Sequence, residues 1–324
     1  MIAGHRNIWV MGGTGFIGQA LVNQLSKQPF NRLHLLLHKK TPYRSFEGFS
    51  TFTGSLDTID PDWFERYPPD VVFHAARPAG GNGLTRWLAA RKGEKANRRL
   101  TGILSALAKP PVVVYVSGSL VFGNQPKGIL ADEHSPVRPE AFARYYYRNE
   151  LPWLEAREKG LLDVRFARPG WIVGPASWFS EFFWKPFLKS GKVPCYGDGS
   201  NYMSLIHIYD CAAMIDALSL FGQPRNDLNI FSAKPILHLD FCRLMARWLS
   251  TSINQIPEKE VTKLYGKTTA AALMSNTPMT TLFSGLHNKD RLQYPGPDAL
   301  LASVLGLLKN EQGIFAKAPE KGSV

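Results

Sequence analysis

Glycines stand at three-residue intervals in Gly12-Gly13-Thr14-Gly15-Phe16-Ile17-Gly18, directly after the apolar run Ile8-Trp9-Val10-Met11 and at the mouth of a helical pattern. A strand-to-helix turn this tight needs glycine, and close approach of backbone to a pyrophosphate leaves no room for a Cβ. The N-terminus of the helix adds free N–H groups and a partial positive charge. The spacing therefore predicts a dinucleotide site with Gly12, Gly13, Thr14, Gly15, Phe16, Ile17 and Gly18 around the pyrophosphate. At the end of a second strand, chains that bind NAD carry Asp or Glu for the ribose hydroxyls. Here Leu35-Leu36-Leu37 runs into His38-Lys39-Lys40. Three potential cations in place of an acid suit a 2′-phosphate, so NADP(H) is expected over NAD(H).

Metal chemistry is not expected. Cys195, Cys211 and Cys242 are too few and too irregularly spaced for a disulfide framework or a zinc site, and they read as isolated buried thiols. His74, His134 and His207 have no partner at metal spacing and read as structural.

The elements that must carry these residues alternate between short apolar runs and helical periodicity. Strands are expected at 8–11, 33–37, 51–53, 71–75, 112–117 and 164–167, with little polar alternation, as in strands covered on both faces. Helices are expected at 17–26, 87–108 and about 141–159, the last kinked or restarted at Pro152, and further on at 210–221, 239–249 and 299–308. The fold class is α/β: a Rossmann-type doubly wound parallel sheet with a smaller C-terminal substrate lobe. Residues 1–170 with about 204–232 would form the dinucleotide-binding domain, and 171–203 with 233–324 the lobe. Trp171, Trp178, Phe179, Phe182, Phe183 and Trp184 would give that lobe a hydrophobic lid.

Bulk properties narrow the partners. The chain has 324 residues, 44% of them hydrophobic, and no apolar run long enough to span a bilayer. Its first residues lead straight into a strand with no signal-peptide pattern, so a cytoplasmic protein is expected. The net charge of +12 favours anionic partners. The densest basic run, Arg86, Arg91, Lys92, Lys95, Arg98 and Arg99, reads as the solvated face of a helix.

The glycine loop together with Val72-Phe73-His74-Ala75-Ala76, Val114 to Gly123, Arg168-Pro169-Gly170-Trp171-Ile172-Val173-Gly174-Pro175 and Gly197-Asp198-Gly199 through Asp210 resembles the extended short-chain dehydrogenase/reductases, the NAD-dependent epimerase/dehydratase family. The resemblance spans about residues 7 to 235. It implies that Ala75 and Ala76 pass beside the adenine half of the cofactor, that Asn97 lies on the helix behind the site, and that Gly170 flanks the nicotinamide. It also implies a homodimer through a bundle that includes the helix bearing Tyr146. The family's chemistry uses a tyrosine that shuttles a proton, a lysine four residues later that lowers the tyrosine pKa from about 10, and a Ser or Thr that polarises the substrate oxygen. Matched to that motif, this chain has Phe142, Tyr146 and Gly118 in those places, and none of its eleven tyrosines has a lysine four residues on.

Enone reductases of the same family also lack the usual pair and carry a Phe-Tyr-Tyr segment in that helix, which Tyr145-Tyr146-Tyr147 resembles. The lysine those enzymes place elsewhere is Leu120 here, so the likeness is partial. It implies Tyr146 or Tyr147 as the acid, with Ser117 or Ser119 in place of the missing serine. Met203 stands where members acting on nucleotide sugars present an arginine to the diphosphate, which disfavours a nucleotide sugar. The expected activity is reduction of a carbonyl or activated double bond of a hydrophobic small molecule. A dinucleotide-binding protein without turnover, structural or redox-sensing, is the alternative. RNA binding, known among relatives of this fold, ranks last because no aromatic–basic strip marks a binding surface.

Overall fold

The computed structural model describes residues 5–38, 46, 48–78, 80–81, 83–140, 143–285 and 292–311. Its first half runs β1 (Arg6–Met11), α1 (Phe16–Ser26), β2 (Asn31–Leu37), β3 (Ser50–Thr53), α2 (Asp62–Arg66), β4 (Val71–His74), α3 (Gly83–Ser105), β5 (Val112–Val116), α4 (Ala143–Glu158) and β6 (Asp163–Pro169). The second half runs β7 (Trp171–Val173), α5 (Lys185–Ser190), β8 (Val193–Tyr196), β9 (Tyr202–Met203), β10 (Leu205–His207), α6 (Ile208–Phe221), β11 (Asp227–Ile230), β12 (Ile236–Leu237), α7 (His238–Trp248), β13 (Ile253–Ile256), α8 (Glu258–Tyr265), α9 (Lys267–Leu273) and α10 (Pro297–Glu311).

Seven strands form one sheet in the order β3-β2-β1-β4-β5-β6-β11, every neighbouring pair parallel. The fold is α/β, with this Rossmann-like sheet and smaller C-terminal sheets. Parallel strands need crossover helices, and these cover both faces. On one face α1 and α6 pack Leu21, Leu25, Ile215 and Leu218 against Ile8, Val10 and Leu35. On the other, Ala96, Leu100 and Leu104 of α3 and Trp153 of α4 meet Trp9, Val72 and Val113. Each of these Leu, Ile and Val side chains contributes on the order of 1.5–3 kcal/mol by leaving water. The strand order reverses between β1 and β4, which opens a crevice at their carboxyl ends.

A further core holds Val173, Phe183, Tyr196, Phe241 and Leu301 from the smaller elements beside the sheet.

Three expectations need correction. Helix α4 continues through Pro152, which is buried, so the segment does not restart there. Phe179, Phe183 and Trp184 are core residues, at most 2% exposed, and do not form a surface lid. Cys195 and Cys242 are not isolated: folding brings them together beside His238. Strands β4 and β5 each stop one residue short of the expected ends, although Ala75 N still donates to Met11 O (2.9 Å) and Ser117 N to Ala167 O (2.8 Å). Strand β11 was not among the expected strands. No helix among the described residues is long and apolar enough to cross a membrane.

Candidate active site

The loop after β1 turns on two glycines. Gly12 has φ +86°, and a Cβ there would lie 2.7 Å from Ala76 N. At Gly18 a Cβ would lie 1.9 Å from Gly12 O, so the first turn of α1 packs directly on the loop. Gly15 N donates to Gly12 O at 3.0 Å, and Gly15 caps α1 with no side-chain acceptor. The first N–H groups of α1 have no side-chain cap, and no acid stands in its first turn. These residues fit a dinucleotide pyrophosphate. His38, after β2, is exposed, whereas Lys39 and Lys40 lie outside the described residues.

From this loop a cleft of about 500 Å³ runs across the carboxyl ends of the strands. Gly15, Phe16, Ile17 and Gly18 line one end, and Ala75, Ala76 and Arg77 follow β4. Gly12, Gly13 and Thr14 are not among the residues lining it. Further along lie Ser117, Gly118, Ser119 and Leu120 after β5, then Tyr146 and Glu150 of α4 and Gly170 after β6. Gly170 is tied down by its N–H to Ile230 O (2.9 Å), and a Cβ there would come 2.2 Å from Ser204 O. Trp171 and Trp178 close the far end, with ring centroids 4.5 Å apart.

The candidate catalytic residues divide. Tyr146 faces the cleft with the Arg77 guanidinium 3.5 Å from its ring centroid. Tyr147 packs instead against the small cluster of Val121, Phe122, Ala131, Phe231 and Met279, where burial, then the Glu150 charge, push its phenol pKa up. Phe142 lies outside the described residues. Ser119 is buried at the cleft wall. The Ser117 hydroxyl donates to Glu150 Oε1 and accepts from Arg168 Nη1 at 3.0 Å.

Sequence reasoning gave no role to four residues of this network. Arg168, its side chain 2% exposed, pairs with Glu150 (3.2 Å) and Asp227 (3.5 Å), and Asp227 in turn holds Arg157 at 2.5 Å. Burial pushes the Glu150 carboxyl above its ordinary range, and the Arg168 charge opposes that shift. The signal available was the spacing: Glu150 follows Tyr146 by four residues, one turn along the same helix face. Behind the site, His74 Nε2 lies 2.9 Å from Asn97 Oδ1, and Asn97 Nδ2 donates to Asn149 O (2.9 Å), tying β4, α3 and α4 together. Met203 is buried in the core beside the sheet and does not line the cleft.

The sequence profile described as "NAD dependent epimerase/dehydratase family" matches residues 8–230. Among curated proteins there is no significant match. Solved structures of the same fold include the human epimerase family protein SDR39U1 (isoform 2) with NADPH, 19% identical, with TM-score 0.74, covering 93% of this chain and 99% of that one. Another is dTDP-glucose 4,6-dehydratase from Bacillus anthracis in complex with NAD, at 17% identity, TM-score 0.73 and coverage of 95% and 98%. A third is the Thermus thermophilus UDP-glucose 4-epimerase complex with NAD, at 19%, 0.68, and 93% and 99%.

Proposed function

This chain belongs to the NAD dependent epimerase/dehydratase family, and from that premise we propose that it is an NADP(H)-dependent oxidoreductase that reduces a carbonyl or an activated double bond of a hydrophobic small molecule. The observation that carries the reading is the single cleft in which the glycine loop, Tyr146, Ser117 and Gly170 open onto one space ending at Trp171 and Trp178. A bound nicotinamide would supply the hydride. Gly12 to Gly18 hold the pyrophosphate against the start of α1, and His38 with Lys39 and Lys40 answers a 2′-phosphate. Ala75 and Ala76 run beside the adenine half. Tyr146 delivers the proton that balances the hydride. The Arg77 guanidinium, stacked on its ring, holds the phenol in place at the cleft. Glu150 and Arg168 fix Ser117 at the cleft wall, and the two indoles exclude water and favour an apolar substrate. The human protein of the same fold, whose structure holds NADPH, supports this cofactor, while the dehydratase and epimerase structures hold NAD.

The test is a fluorescence titration of the purified protein with NADPH and NADH. The expected result is saturable binding of both, tighter for NADPH, and oxidation of NADPH by at least one member of a panel of enones and apolar ketones. Failure of both cofactors to bind would overturn the reading. Tight binding without turnover on the panel favours the second reading, a dinucleotide-binding protein without catalysis. One observation supports that alternative: the Ser117 hydroxyl is already committed to Glu150 and Arg168.

A further inference from the structure

We propose that Cys195, His238 and Cys242 form a binding site for a soft divalent cation, zinc, which fastens strand β8 to helix α7 away from the cleft. The site is independent of the cofactor reading.

His238 and Cys242 are four residues apart at the start of α7, so their side chains share one helix face. Strand β8 carries Cys195 alongside that face. The two sulfurs and one ring nitrogen of His238 all lie within 4.8 Å of one another, and all three residues are 0% exposed. Among the described residues this is the one group of three or more Cys, His, Asp or Glu side chains so placed.

Hydrogen bonding around the imidazole leaves a lone pair available. Asn201 Nδ2 donates to Ser275 O (3.1 Å), which fixes the amide and makes its Oδ1 the acceptor near His238 Nδ1 at 3.3 Å. The ring proton therefore sits on Nδ1. Nε2 keeps its lone pair, buried, with no hydrogen-bond partner. A ligating histidine is oriented in this way, its other nitrogen donating to an oxygen acceptor. An unmet buried acceptor costs on the order of 1–3 kcal/mol, which a cation would relieve.

The chemistry of the donors selects the ion. Sulfur and imidazole suit zinc, whereas magnesium and calcium take oxygen. Two thiolates, one neutral imidazole and Zn²⁺ sum to zero charge, the sum that a fully buried site tolerates best. Binding releases the two thiol protons to solvent and changes no oxidation state. Bonds of about 2.3 Å to sulfur and about 2.0 Å to nitrogen require the three atoms to close by no more than about 1.3 Å. The Cys242 thiol, which donates to the Pro194 carbonyl at 3.4 Å, gives up that bond when it ionises.

The experiment is a cobalt titration of the reduced, chelator-stripped full chain, followed by zinc displacement. One cobalt per chain with a thiolate-to-cobalt charge-transfer absorption, abolished by one equivalent of zinc, is expected. Cys195→Ala and Cys242→Ala should each weaken binding at least about 100-fold, and Asn201→Ala about 10- to 100-fold. Cys211→Ala, which removes the buried thiol of α6, should bind as the unaltered chain does. Absence of the absorption in the unaltered chain overturns the proposal, whether or not any variant folds. So does an undiminished absorption in both Cys195→Ala and Cys242→Ala.

Discussion

Arg168 has two carboxylates for partners and almost no water, and through Ser117 that buried network reaches the cleft. A charge held in this way is costly to strand, so the network fixes the cleft wall at Ser117 and Glu150 in one arrangement. Tyr146 is then the phenol that both faces the cleft and has a cation stacked on it, whereas Tyr147 is packed away from it. Once a substrate is in hand, Tyr146→Phe should lower kcat by about 100-fold or more while the NADPH dissociation constant stays within about twofold, because loss of a positioned acid typically costs that much. Tyr147→Phe should change kcat little. Steady-state kinetics beside a fluorescence titration would check both, and equal kcat values in Tyr146→Phe and the unaltered chain would remove Tyr146 from the mechanism. At this scale the sequence was legible where residue type and spacing coincide, as in the glycine loop. It was silent on Arg77, Glu150 and Arg168, whose roles depend on which strands become neighbours. His238 and Cys242 carried a readable interval of four residues, but their partner Cys195 is supplied by a distant strand.

Among the elements, the long strands announced themselves because a buried parallel strand is a continuous apolar run. β9 and β12 have two residues each, and β7 and β10 three, too short to show any period. Strand β11, Asp-Leu-Asn-Ile, alternates polar and apolar residues and joins the sheet at its edge, beside β6. Pro152 misled for a different reason: it is buried in the helix beside Trp153, whose packing in the core outweighs the lost backbone donor. The contact between the glycine loop and α1 belongs to this scale, because Gly18 sets how closely the helix approaches β1. Gly18→Ala would drive a methyl group into Gly12 O and push α1 off the loop. The expected outcome is at least about a 100-fold weaker NADPH titration, since the N–H groups that meet the pyrophosphate move with the helix. Far-UV circular dichroism should remain that of an α/β protein. Unchanged affinity would mean that the loop does not hold the pyrophosphate.

Over the whole molecule, charge is spread and most of the basic run on α3 is exposed, with Arg98 paired to Glu155 at 2.6 Å and Lys92 to Asp57 at 3.2 Å. Screened surface pairs of this kind contribute little to stability, so the pH response of the fold rests on buried groups. His74 is the clearest case. It is fully buried between β4 and α3, and burial lowers its pKa from the ordinary 6.5 to about 4, against the opposing pull of its Asn97 hydrogen bond. His207 behaves in the same direction for the same reason. Between those two values the unfolded chain binds a proton that folded His74 refuses, so stability rises with pH in that window. The contribution is complete above pH 6.5 and is lost as pH falls through about 4. Its full size for His74 is on the order of 3 kcal/mol. Urea unfolding of the unaltered chain and of His74→Gln, each measured from pH 7 down to pH 4, should therefore show the two stability curves converging as pH falls. The difference should shrink by up to about 1.4 kcal/mol per pH unit, the slope of one proton. Curves that stay parallel across the window would mean that His74 carries its proton in the folded state, and its buried bond to Asn97 would then have to be that of an imidazolium.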